Sequence, residues 1–119
     1  MKVISSKVHG ILDYATVIFL LLSPTMFDMQ GNLAIFTYAL GCIHFLLTIL
    51  TAFEVGLIKV IPFRLHGLIE IVVAIALVGV AFWFRSQDSG LGYHFYLAMA
   101  VVILLVFTLT DFSSAGRRV

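Results

Sequence analysis

Four apolar runs, at about residues 7–23, 33–53, 62–84 and 92–112, take up most of this 119-residue chain, and only short turns separate them. A helix that crosses a bilayer needs about 20 residues at about 1.5 Å each. The second, third and fourth runs meet that length; the first is shorter and is interrupted by Asp13. The residues are 62% hydrophobic and 11% charged, against about 45–50% and about 25% in a soluble domain. A water-soluble fold of this size keeps roughly a third of its surface wet and could not bury so much apolar material; disorder is excluded by the same composition. The expectation is therefore one all-α membrane domain over residues 1–119, an antiparallel bundle of four transmembrane helices.

Local signals mark the helix ends. Ser5 or Ser6 is suited to cap the first helix, Ser23-Pro24 to end it, and Pro62 to open the third. The connections, Met26 to Asn32, Glu54 to Ile61 and Arg85 to Leu91, carry or adjoin Gly31, Gly56, Gly90 and Gly92, as tight turns require. The first apolar run lacks a small-residue cleavage site and reads as a retained helix. Lys2, Lys7, Lys59, Arg64, Arg117 and Arg118 fall on one side of such a bundle and only Arg85 on the other, which makes both termini cytoplasmic. A net charge of +1 leaves no basic footprint for nucleic acid. The single Cys42 lies within an apolar run and forms no internal disulfide.

The layout is doubled. With a shift of 57, Lys7-Val8-His9-Gly10-Ile11-Leu12-Asp13 falls on Arg64-Leu65-His66-Gly67-Leu68-Ile69-Glu70. With a shift of 59, Leu50-Thr51-Ala52-Phe53 falls on Leu109-Thr110-Asp111-Phe112. Two tandem helical-hairpin repeats follow, at about residues 7–54 and 62–113, related by an axis along the membrane normal. A helix that ends in Leu22-Ser23-Pro24, then a short turn and a second apolar helix, all duplicated, resembles the SPW-repeat family of small bacterial membrane proteins. Thr25 stands where the family name has Trp, and Val80-Ala81 where the second copy would have Ser-Pro. The resemblance implies a multi-pass protein of the bacterial cytoplasmic membrane and supplies no activity.

Ionisable groups in a spanning helix cost about 2.5–3.5 kcal/mol each on insertion scales and so turn toward the bundle interior. In His9/Asp13 and His66/Glu70 the two side chains are four residues apart and share one helix face. Three readings of these four residues stay open. Each carboxylate accepts from its own histidine as a structural device; or the set forms a proton or ion path; or two imidazoles and two carboxylates at one depth bind a metal ion, as His/carboxylate sets do in helical bundles. A haem held between His9 and His66, each followed by a glycine, is a further reading.

Secondary candidates are His44, Thr48, Thr51, Glu54 and Asp111. Gly41, His44, Thr48 and Thr51 share a face of the second helix, and Glu54 and Asp111 mark the inner ends of the second and fourth. His44, near mid-depth, reads as a buried hydrogen-bonded histidine or as a relay through Thr48 and Glu54. His94, Tyr93, Tyr96, Trp83 and Phe84 read as an interfacial aromatic belt. Ala74, Ala76, Gly79 and Ala81 read as close-packing positions, and Met and Phe as lipid-facing filler. No nucleophile set or phosphate loop is present. The function expected is thus a non-enzymatic structural or accessory membrane protein, with no required cofactor, whose partners are the bilayer and further copies or a larger membrane complex. A small carrier or a metal- or haem-binding electron-transfer subunit are the alternatives.

Overall fold

The computed structural model describes residues 2–113; Arg117 and Arg118, used above for orientation, lie outside the described residues. The elements run α1 (Ser6–Met26), α2 (Gly31–Ile49), β1 (Thr51–Ala52), β2 (Ile61–Pro62), α3 (Phe63–Ser86) and α4 (Gly90–Leu109). Among the described residues all four helices are long and apolar enough to cross a membrane. At 19 to 24 residues they reach roughly 29–36 Å. α1 packs along α2 and α3 along α4. Large apolar side chains such as Ile18, Ile35, Ile43, Val72, Ile75 and Leu105 stay exposed on the outer faces, a surface suited to lipid.

The helix ends explain where the elements depart from expectation. Ser5 caps α1 by accepting the Val8 N–H at 3.2 Å. Pro24 does not stop α1, because it removes one helical donor only in the last turn. The amides of Phe27 and Met29 still bond back to the carbonyls of Ser23 and Pro24, each at 2.9 Å. α2 ends at Ile49, short of residue 53, because the Leu50 carbonyl accepts from Val60 and Ile61 at 3.0 and 2.8 Å. The chain is thereby drawn into β1, which pairs in parallel with β2, Thr51 against Ile61 and Ala52 against Pro62. α4 ends at Leu109, not 112, for the same reason: the Ile4 N–H donates to the Leu109 carbonyl at 2.9 Å and the Asp111 N–H to the Ile4 carbonyl at 2.8 Å. Ile4 and Thr110 thus form a second parallel bridge. These two extended pairs gather the starts of α1 and α3 with the ends of α2 and α4.

At the other end the turns after α1 and α3 each place an aspartate in the left-handed region, Asp28 at φ 50° and Asp88 at φ 59°, a conformation that aspartate tolerates better than most residues. Beside them lies the apolar core, where Leu20, Leu33, Leu77, Ala81, Phe84, Tyr96 and Met99 are buried together. Several expectations are corrected here. Tyr96 and Phe84 are core residues with rings stacked at 6.0 Å, not belt residues, while Trp83 remains 48% exposed. Ala74 and Ala81 are fully buried, but Ala76 and Gly79 face outward. Met29, Met99, Phe53, Phe63 and Phe95 are buried, so Met and Phe are not only lipid-facing filler.

The Thr37 hydroxyl donates to the Leu33 carbonyl at 2.8 Å, which leaves its oxygen to accept from the buried Tyr96 hydroxyl at 2.5 Å. Thr37→Val leaves that phenol without its partner and should cost about 1–3 kcal/mol. The double variant Thr37→Val/Tyr96→Phe should recover most of the loss. Thermal unfolding in detergent micelles reads the difference; equal losses in both variants would contradict the pairing.

Candidate functional site

The end of the bundle where α1 and α3 begin holds a buried cluster of titratable side chains. His9 and Asp13 lie in the first turns of α1, His66 and Glu70 in the first turns of α3. Both imidazoles are fully buried, and Asp13 and Glu70 retain only 4% and 6% of their exposure. The four converge. His9 Nε2 lies 3.4 Å from Asp13 Oδ2 on its own helix and 2.9 Å from Glu70 Oε1 on α3. His66 Nε2 lies 3.4 Å from its own Glu70 Oε2 and 3.0 Å from Asp13 Oδ2 on α1. The shorter contact in each case crosses from one helix pair to the other. Imidazole and carboxylate therefore alternate around a closed ring, with one ligand atom from each residue lying within 4.8 Å of the other three.

The tautomer of each histidine is fixed from behind. The Thr51 hydroxyl donates to the Leu47 carbonyl at 2.6 Å, so its oxygen must accept from His66 Nδ1–H, 2.7 Å away. Likewise the Thr110 hydroxyl donates to the Val106 carbonyl and accepts from His9 Nδ1–H at 2.8 Å. With the proton on Nδ1, a neutral imidazole presents the Nε2 lone pair to the ring of oxygens. The two threonines sit at matching places, each paired through its backbone with an isoleucine, Thr51 with Ile61 and Thr110 with Ile4.

Hydrogen bonding does not account for the inner face. His9 Nε2, His66 Nε2, Asp13 Oδ2 and Glu70 Oε1 are buried and have no aligned hydrogen-bond partner among the described residues, although they stand 2.9–3.4 Å from one another around the ring. Buried polar atoms are almost always satisfied. Four orphans that share one point are the geometry of donors around a cation. Four ligands at about 2.0–2.1 Å from a tetrahedral ion lie about 3.3 Å apart in every pair; here the His–carboxylate contacts match that spacing, and all four ligand atoms lie within 4.8 Å of one another.

Aromatic side chains close the end. Phe63 lies 5.2 Å from the His9 ring, edge-on, Phe112 5.8 Å from the same ring, and Phe53 5.7 Å from His66. The glycine after each histidine makes the seat. A β-carbon on Gly10 would strike Val55 and Phe53, and one on Gly67 would strike Phe112. The two imidazoles meet edge to face at 5.3 Å, and the space beside the glycines is filled by Val55 and Phe53 at Gly10 and by Phe112 at Gly67, which leaves no gap for a porphyrin.

The secondary candidates divide. His44 faces the cluster, its Nε2 3.6 Å from Asp13 Oδ1. Thr51 is the His66 acceptor rather than part of a continued α2 helix. Thr48 turns its hydroxyl back to the His44 carbonyl at 2.7 Å, and Glu54 accepts from the Ser6 hydroxyl at 2.7 and 2.9 Å. Asp111 accepts from the amide and hydroxyl of Ser113. Thr110, Phe53, Phe63 and Phe112 were not singled out by sequence reasoning. The match of Leu50-Thr51-Ala52-Phe53 to Leu109-Thr110-Asp111-Phe112 contained three of them, but no pattern in one dimension ties Thr110 to His9. His94 is exposed, as an interfacial residue would be. Cys42 is exposed as well and contributes nothing to the cluster.

Compared with protein-family models, with curated proteins and with solved structures, the chain finds no match.

The threonine backing makes a spectroscopic prediction. Solid-state ¹⁵N NMR of neutral His9 and His66 should show protonated Nδ1 and unprotonated Nε2. Thr51→Val should abolish that preference at His66 and leave His9 unchanged. An Nε2–H tautomer in the unsubstituted protein would contradict the assignment.

Proposed function

We propose that this chain is a multi-pass membrane protein that holds one divalent first-row transition-metal ion between two duplicated hairpins, as a non-enzymatic accessory component of the bacterial cytoplasmic membrane. The observation that carries the reading is the set of four buried, unaligned donor atoms of His9, Asp13, His66 and Glu70. Two neutral imidazoles and two carboxylates carry a charge of −2. A divalent cation makes the whole centre neutral, and so removes the cost of two like charges buried side by side in a low dielectric. The donor set, two nitrogens and two oxygens without thiolate, suits zinc, iron or manganese better than a soft ion. Thr51 and Thr110 supply the outer hydrogen bonds that orient metal-bound histidines.

Crossed ion pairs between protonated histidines and the carboxylates would give the same charge balance. Such pairs would run from His9 to Glu70 at 2.9 Å and from His66 to Asp13 at 3.0 Å; only the metal ion also accounts for all four donor atoms that lack a hydrogen-bond partner among the described residues. The antiparallel order of the helices and cytoplasmic termini belong to the same proposal, supported by the Lys and Arg asymmetry. The resemblance to the SPW-repeat family is consistent with the doubled plan. So are the matched backbone bridges Thr51–Ile61 and Thr110–Ile4.

Metal content decides it. Protein purified in detergent and titrated with Zn²⁺, Mn²⁺ and Fe²⁺ against a chelator should bind one ion per chain. Thr51→Val and Thr110→Val should each weaken binding about 10–100-fold, as loss of an orienting partner does, and Asp13→Asn/Glu70→Gln by more than about 100-fold. Unchanged affinity in the double variant would contradict the site.

A further inference from the structure

The cluster is closed by phenylalanines on one side only. On the opposite side an opening of about 30 Å³ lies against Asp13, Glu70, His44, Thr16 and Met99 and reaches the exposed Leu12 and Val102 of α1 and α4. It adjoins a second void of about 60 Å³, lined by Leu20, Leu40, Ile43 and Val73 and sharing Thr16, His44 and Met99 with the first. All four helices contribute to this second chamber. His44 is the residue that both chambers touch with a polar ring. Its Nε2 is 3.6 Å from Asp13 Oδ1, too far for a hydrogen bond but near enough for one molecule lying beside them to contact both.

Size and polarity define the occupant. The chambers, of about 30 and 60 Å³, each exceed the roughly 10–15 Å³ that one water molecule needs, so a molecule of a few heavy atoms fits them. The larger chamber is almost wholly hydrocarbon, which excludes an ion or a sugar. Ile43 both lines the chamber and stands 63% exposed on the outer face, so one side chain separates the chamber from the apolar surroundings. The route suits an uncharged molecule that already dissolves in lipid.

We propose, resting on the metal reading above, that the chambers admit a small uncharged diatomic or triatomic molecule, which coordinates the metal on its unwalled side and accepts a hydrogen bond from His44. No bond within the molecule breaks and no electron is transferred; one coordinate bond forms and dissociates reversibly. His44 acts as a positioning residue for the bound molecule.

Nitric oxide is the probe, because it is uncharged, diatomic and gives Fe²⁺ a characteristic half-integer-spin electron paramagnetic resonance signal. The Fe²⁺-loaded, full-length protein in nanodiscs should develop that signal on exposure to nitric oxide. Val73→Phe, which fills the larger chamber, should slow association at least tenfold with iron content unchanged, and the milder Val73→Ile should slow it less. His44→Leu should speed dissociation about tenfold while association stays the same. If the chain takes up none of Zn²⁺, Mn²⁺ and Fe²⁺, the metal reading fails and this inference falls with it; if it binds Zn²⁺ or Mn²⁺ but no iron, the metal reading stands and this inference alone is overturned. If iron binds but no nitrosyl signal develops, or if both Val73 variants retain iron and associate at the original rate, this inference alone is overturned.

Discussion

Everything at the end of the bundle where α1 and α3 begin depends on how Asp13 and Glu70 are neutralised. Both are buried, both come from helices that otherwise present hydrocarbon, and each lies closest to the histidine of the other helix pair: Glu70 to His9 at 2.9 Å and Asp13 to His66 at 3.0 Å. The pairs α1–α2 and α3–α4 pack internally along their lengths, so this crossed set is a principal polar contact between them. Removing one member would strand the charge of another in a low dielectric, a far larger cost than any single exposed ion pair carries.

The backbone is arranged to hold that set. Had α2 and α4 continued to residues 53 and 112, Thr51 and Thr110 would have remained ordinary helical threonines. Instead α2 ends at Ile49 and α4 at Leu109, and the chain then pairs with Ile61 or Ile4 and sets a threonine oxygen behind each imidazole. The same departure turns Phe53 and Phe112 onto Gly10 and Gly67, where a β-carbon would not fit. Glycine within a helix costs about 0.5–1 kcal/mol relative to alanine, and here that cost is offset by an aromatic cover that keeps water from the histidines. The outer half needs no such device: Leu20, Leu77, Phe84 and Tyr96 pack there as an ordinary apolar core.

Helix number, approximate span and the four central residues were legible in the sequence, because hydropathy over a 20-residue window and a His–acid spacing of four are local signals. What was not legible is long-range. His9 and Thr110 are separated by 101 positions, and nothing in either segment alone announces the other. The expected pairing of each carboxylate with its own histidine follows from helix periodicity, yet the contacts to the neighbouring helix are shorter, since the two helix starts are brought together by extended segments that periodicity does not reveal. Tyr96 and Phe84 illustrate a different limit. Aromatic residues near a helix end fit a belt or a core equally well in one dimension, and only the fully buried Thr37 hydroxyl opposite Tyr96 decides between them.

The central claim is that four protein side chains converge on one ion. X-ray absorption at the metal edge of the purified, zinc-loaded protein tests it most directly. The account predicts a nearest shell of nitrogen and oxygen at about 2.0–2.2 Å, without sulfur, and the outer-ring scattering of two imidazoles, falling to one in either His9→Ala or His66→Ala. A shell of oxygen alone, with no imidazole scattering, would contradict it.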